Sequence, residues 1–287
     1  MPGRPRFAAD RSADRRAALP AALARALGLL AALVAGCGEG DASSASSAGP
    51  TGGDACSAEV GQSAQALRTG EIDEKDAAIV AVNTLDVDCQ RAGAPACTGT
   101  LIAPDVVLTA AHCVGEYPPE SFGVLFGALS DPGRGPLGSG LDGSFFRVIG
   151  VRVHPLFDPA TFAHDLALLR LAEEAPAPPI PRFEGTLEAA IVGSTARVVG
   201  FGFADEGPVG AKRQGTVAIK ELSERELVYG SAPSMTCSGD SGGPVLMTIE
   251  GVEHIVGVTS RGDAACVDHG VAERVDGPPS AFFEDAW

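Results

Sequence analysis

The stretch CSGDSGGP (237–244) surrounds Ser241 with three glycines, a proline and an aspartate. A hydroxyl in a loop so poor in side chains is either a linker residue or a nucleophile, and a simple turn needs only one or two glycines. Two other runs hold the residue types a serine nucleophile works with. TAAHCV (109–114) places His112 at the end of an apolar strand, and HDLALLRL (164–171) leads from Asp165 into another buried-looking strand. A Gly-rich hairpin would account for the glycines but leaves His112 and Asp165 unexplained. The remaining histidines, His154, His164, His254 and His269, lack such a setting and read as surface or packing residues.

These residues need a scaffold, and the chain supplies short β-rich runs from about residue 71. AAIVAVNT (77–84), DVVLTA (105–110), FGVLFG (122–127) and FFRVIGVRV (145–153) are followed by ARVVGFGF (196–203), GTVAIKEL (215–222), GPVLMTI (243–249) and HIVGVTS (254–260). Runs of this length, broken by Gly, Pro and Asp, indicate an all-β sandwich or barrel rather than alternating strands and helices. The proline-rich EEAPAPPIPR (173–182) cannot continue a strand and marks a boundary between two halves, about 71–172 and 183–287. SAFFEDAW (280–287) reads as a short C-terminal helix.

The N-terminus reads as an export signal. Six arginines precede the eleven-residue apolar run ALGLLAALVAG (26–36), long enough for a signal peptide and too short to span a bilayer. The small residues before Cys37 resemble the lipobox of bacterial lipoproteins. That implies removal of 1–36, acylation of Cys37, and a protein held on a membrane at the cell surface or periplasmic face. The alternative is an ordinary secretory signal and a secreted protein. Residues 37–66, including GEGDASSASSAGPTGGDA (38–55), then form a flexible tether and propeptide-like segment. Seven cysteines are an awkward number for an exported chain, and a lipid on Cys37 leaves six for three disulfides. No C-x-x-C pair suggests a metal site. A net charge of −16 argues against nucleic acid as a partner and fits a soluble acidic surface.

With CTGTLI (97–102), the runs around His112, Asp165 and Ser241 stand in the order His, Asp, Ser and resemble the trypsin/chymotrypsin family of serine proteases over about residues 67–287. The resemblance implies two antiparallel six-stranded β-barrels with the site in the cleft between them. It also implies a monomer that hydrolyses protein or peptide substrates with no metal or organic cofactor. Ser241 is then the nucleophile, His112 its general base, and Asp165 the group that holds the imidazole in the right tautomer. The backbone N–H groups of Gly239 and Ser241 would face the oxyanion. Family disulfides would join Cys97 to Cys113 and Cys237 to Cys266; Cys56 and Cys89 match no family pair and are expected to pair with each other by elimination alone. The alternatives are a catalytically silent, surface-tethered binding protein that kept the barrels, and an esterase-like hydrolase.

The resemblance also assigns Asp240 to an activation ion pair with a new N-terminal amine. The usual Ile-Val-Gly-Gly is absent, and LRTG (67–70) makes Leu67 the candidate terminus, freed by a cut after Ala66. By the same likeness Met235 lies at the base of the primary pocket, with Thr236, Ser260, Gly262 and Gly270 around it. A thioether base predicts cleavage after medium apolar residues such as Leu, Met or Val, with Asp263 and Asp268 at the rim. Three features depart from the family: Arg261 replaces a tryptophan, the turn at 200–202 is GFG, and the span from Asp165 to Ser241 is short.

Overall fold

The computed structural model describes Leu67 and residues 70–86, 91–130, 144–204, 207, 210–230, 234–277 and 281–284. The signal, Cys37, the tether, Cys56 and Cys89 lie outside the described residues. Among the described residues no helix is long and apolar enough to cross a membrane.

A short β1 (Glu71–Ile72) is followed by β2 (Ile79–Asp86), β3 (Arg91–Ala103), β4 (Val106–Thr109), β5 (Phe122–Phe126), β6 (Ser144–Val153) and β7 (Ala167–Leu171). Successive side chains on a strand point to opposite faces. Along β2, Val80 and Val82 enter one buried cluster while Ile79 and Ala81 enter another. In β4 and β7, Val107, Ala167, Leu169 and Leu171 join the first cluster, and Val106, Leu108 and Leu168 the second. Both faces of these strands are buried, which is why their sequences are apolar throughout. β2 to β7 close into an antiparallel barrel in the order β2-β3-β4-β7-β6-β5.

The second half contributes β8 (Thr195–Gly200), β9 (Arg213–Leu222), β10 (Glu226–Gly230), β11 (Pro244–Ile249), β12 (Val252–Gly262) and β13 (Gly270–Arg274). Pairing of β8 with both β9 and β11 closes a second antiparallel barrel of six strands, and β1 adds to the outside of β9. Closure leaves neither barrel with a free edge apart from that short addition. The fold is all-β with two six-stranded barrels, as the resemblance implies.

One core fills the first barrel, around Phe122, Phe126 and Phe146, and another fills the second, around Val198, Val217, Leu227 and Val256. The third lies between them, where Leu108 and Leu168 meet Val199, Phe201, Leu246 and Ile255. The proline-rich connection crosses both halves. Ile180 donates its N–H to the carbonyl of Leu101 at 2.9 Å, and Pro181 accepts from Ile255 at 2.9 Å. The C-terminal helix is present as one turn, α2 (Ala281–Glu284), with Phe282 in the core between the barrels. Arg197 on β8 donates twice to Glu253, at 3.0 and 2.6 Å, and also reaches Asp76, tying the chain before β2 to the second barrel.

Candidate active site

β4 ends at Thr109 and a single helical turn, α1 (Ala111–Val114), begins two residues later, carrying His112. Cys113 in that turn is disulfide-bonded to Cys97 on β3, with the Cα atoms 6.1 Å apart. His112 is therefore braced on both sides of its own backbone. Asp165 arrives on a tight loop before β7, in which Phe162 and His164 take φ of 60° and 56°. Side chains other than glycine adopt such angles at a cost of about 1 kcal/mol or more. The loop presents a fully buried carboxyl that faces three donors. Its Oδ1 accepts the backbone N–H of His112 at 2.9 Å, and its Oδ2 meets His112 Nδ1 at 2.7 Å and Ser260 Oγ at 2.6 Å. A buried carboxylate is stable only when its oxygens are filled in this way. The contact fixes the Nδ1–H tautomer and leaves Nε2 with its lone pair. The edge of Phe162 packs on the imidazole, with ring centroids 5.3 Å apart.

The loop bearing Ser241 is held by the first barrel. Thr98 on β3 donates its N–H to the Ser241 carbonyl at 2.8 Å and its hydroxyl to the Gly239 carbonyl at 2.9 Å. Its hydroxyl oxygen also accepts from the N–H of Phe201 at 2.9 Å, and its carbonyl from Thr109 Oγ1 at 2.7 Å. A Cβ on Gly242 would lie 2.2 Å from Thr109 Oγ1 and 3.0 Å from the nitrogen of Ala110, so the loop presses on the end of β4 beside His112. Gly239 has φ +92° and approaches Gly202 so closely that a Cβ would sit 2.8 Å from its Cα. Only glycine fits there. The structure pairs His112 with Asp165, and Ser260, which touches Asp165, lines one cavity with Ser241.

Asp240 is fully buried beside Ser241. Its Oδ1 accepts the N–H of Gly202 at 2.9 Å, and its Oδ2 those of Cys237 at 2.9 Å and Leu67 at 3.2 Å. Side chains on Gly200 or Gly202 would strike the carboxylate, which accounts for the two glycines of GFG. Leu67 itself is buried in the second-barrel core. The segment between it and β2 is gripped by two cations: Arg213 donates to the Gly70 carbonyl at 3.1 Å, and Lys212 reaches the carbonyls of Asp76 and Ile79. Lys212, Arg213 and Thr98 were not singled out by their sequence; each acts through a partner distant in the chain.

The family model described as Trypsin matches residues 80–277. The chain belongs to the trypsin family. It is similar to serine protease 56 of Mus musculus, 34% identical over 200 residues that cover 62% of this chain and 32% of that protein. A trypsin of Saccharopolyspora erythraea is 29% identical over 182 residues, 58% of this chain and 75% of that protein. The vitellin-degrading protease of Bombyx mori is 29% identical over 180 residues, 54% and 63% of the two chains. The matched region spans about a third of the length of the mouse relative. The chain thus carries a serine protease domain of the trypsin type, and Cys97–Cys113 and Cys237–Cys266 are both formed in it.

Beside Ser241 this trypsin domain has a cavity of about 200 Å³ lined by Thr236, Thr259, Ser260, Arg261 and Gly262 among others. Two residues expected around it differ in their placement. Met235 is buried and does not line the cavity, and the space beside Gly270 is filled by the ring of Tyr229. Arg261 spends its charge on Glu226 at 2.9 Å. Asp263 lines the rim, but its Oδ1 accepts the N–H groups of Asp268 and His269 at 2.9 and 3.1 Å. Burial raises its carboxyl, but these and neighbouring N–H groups together outweigh that and draw it down to about 2. Asp268 is exposed and lies 3.8 Å from Lys220. The sulfurs of Cys97 and Cys113 lie near His112, within 4.8 Å, but their disulfide removes the thiolates a metal would need.

Proposed function

We propose that the domain is an endopeptidase working through Ser241, His112 and Asp165 by way of an acyl-enzyme. The observation that carries this reading is the 2.7 Å contact between His112 and a buried Asp165, which Ser260 links to the cavity that Ser241 lines. His112 Nε2 takes the proton of Ser241 Oγ as that oxygen attacks the scissile carbonyl carbon. Negative charge gathers on the carbonyl oxygen, where the N–H groups of Gly239 and Ser241 stabilise it. The imidazolium, steadied by Asp165, then gives its proton to the leaving amine as the C–N bond breaks. Water repeats the sequence on the ester and frees Ser241. A fluorophosphonate probe is expected to label the processed protein at Ser241. A silent binding protein with this fold would not label, and an esterase would label but leave peptides intact.

Activation follows from Leu67. A cut after Ala66 would turn its amide into an ammonium facing Asp240. In the uncut chain burial lifts the Asp240 carboxyl to about 6, against the N–H groups of Cys237, Gly202 and Leu67 and the charge of Arg213, which lower it. A folded-state pKa above the ordinary value means that folding favours the protonated form. This stabilisation is complete below about pH 4 and is lost as pH rises through about 6. With an ammonium at Leu67 the carboxyl drops below its ordinary range, so the sign reverses and stability is lost on acidification. Thermal unfolding of the Ser241→Ala protein, cut and uncut, is compared with matching Asp240→Asn proteins between about pH 2 and 7. The Asp240-dependent part is expected to fall between about pH 4 and 6 in the uncut chain, and in the cut one to rise below about pH 4 and stay level above it. Slopes of the same sign would place the new terminus elsewhere.

The export reading places the domain on a bacterial membrane through a lipid on Cys37. Residues 38–55 would let it range about 20–25 Å from the surface. The mature N-terminal peptide is expected to begin at Cys37 and to carry acyl mass, and Cys37→Ser to block that processing. A lipid-free N-terminus at another residue would make the protein a secreted one.

A further inference from the structure

We infer that Tyr229 closes the inner end of the primary pocket, so that the protease cleaves after small side chains, alanine and valine. The inference rests on the triad reading above, because it concerns the substrate residue whose carbonyl Ser241 would attack.

Tyr229 belongs to β10 and pairs with Gly270 of β13. A Cβ on Gly270 would lie 2.5 Å from ring atoms Cε2 and Cζ and 2.7 Å from the phenol oxygen. The room that a glycine leaves in the pocket wall is therefore already occupied from within the chain. The phenol oxygen is 2.7 Å from Thr236 Oγ1 and 3.2 Å from Thr259 Oγ1, and both threonines line the cavity. Its inner end is thus a pair of threonines with an aromatic ring packed directly behind them. Tyr229 is wholly inaccessible and sits in the second-barrel core with Leu227, Val256 and Ala272. A longer substrate side chain could enter only by driving the ring into that core, which close packing resists.

The same arrangement denies a counter-charge to lysine or arginine. Burial pushes the phenol up to about 12, so it stays neutral, and the Asp263 carboxylate is held by its own loop. Met235 lies among the buried residues and does not line the cavity. What remains beside Ser241 is a recess that ends at Thr236 and Thr259, and the two charges in its lining, Arg261 and Asp263, are engaged by Glu226 and by backbone N–H groups.

The test uses one set of peptide anilides differing only in the residue before the scissile bond: Ala, Val, Leu, Phe or Arg. For the wild type, kcat/KM for Ala and Val is expected to exceed that for Leu, Phe and Arg by about tenfold or more. Tyr229→Ala should raise the ratio of Leu and Phe to Ala by about tenfold, since the vacated ring space deepens the pocket. Tyr229→Phe keeps the ring and should keep the wild-type ranking. Active sites are counted in each protein by fluorophosphonate labelling. A wild type that labels at Ser241 yet prefers Leu, Phe or Arg overturns the pocket inference alone. A wild type that does not label overturns the triad reading, and this inference falls with it. Should Tyr229→Ala fail to label through misfolding, the wild-type and Tyr229→Phe rankings decide.

Discussion

Ser241→Ala is expected to lower kcat on a denatured protein substrate by about 10⁶-fold and to abolish fluorophosphonate labelling. His112→Ala should cost about as much, because Ser241 Oγ is a poor nucleophile without a base at hand. Asp165→Asn should cost about 10⁴-fold. An amide in that position offers His112 Nδ1 either an N–H or a carbonyl, and only the carbonyl preserves the tautomer. It also disturbs the hydrogen bond from Ser260 Oγ, 2.6 Å from the carboxylate. The three losses should not add: a double Ser241→Ala, His112→Ala protein is expected to match the worse single variant. A Ser241→Ala protein retaining more than about one part in a hundred of wild-type kcat would place the chemistry on another residue.

The second large effect is expected at Asp240, which would never touch the substrate. Asp240→Ala removes the acceptor for three buried N–H groups, those of Gly202, Cys237 and Leu67. Each donor left unpaired costs about 1–3 kcal/mol, enough for the loop to turn its N–H groups elsewhere. One of those that would move belongs to Gly239, whose loss as an oxyanion donor is worth about 10²–10³-fold in kcat. Asp240→Ala should thus lower kcat by about that factor while the His112–Asp165 pair keeps its pH profile. The profile separates a displaced loop from general unfolding, which would abolish both. Activity within about threefold of wild type would show that the loop orders itself without Asp240.

Much of this was legible in the sequence, for identifiable reasons. β2, β4 and β7 read clearly because both their faces are buried, which leaves unbroken apolar runs. β10 and β13 did not. ELVYG and GVAER are short, and each places a glutamate where an apolar residue would have marked the strand. Glu273 is only 3% exposed, with burial pushing its carboxyl up to about 7, an environment no pattern rule attaches to a glutamate. The residues around Ser241 were visible because the chemistry demands those types close together in the chain. Tyr229 was not, since its place beside Gly270 depends on a strand register between segments far apart in sequence. Met235 shows the same limit from the other side. Counting back from Ser241 gives its place along the chain, but which residues face the cavity depends on how the neighbouring strands pack.

The hydrogen bonds of Thr98 bear on the order in which the molecule is made. Thr98 lies on a strand of the first barrel, yet its N–H and hydroxyl join Ser241, Gly239 and Phe201 of the second. A chain folding from its N-terminus completes β2 to β7 before these partners have been synthesised. At that stage Thr98 has no loop to hold, and Asp165 lacks the hydroxyl of Ser260. The loop finds its shape only when the halves dock, a step that for packed domains takes milliseconds to minutes. Until that docking, the domain holds the residues of its candidate site without the contacts that shape the Ser241 loop. The geometry around Ser241 thus depends on both barrels at once, and parting them would remove the bonds from Thr98 that hold its loop.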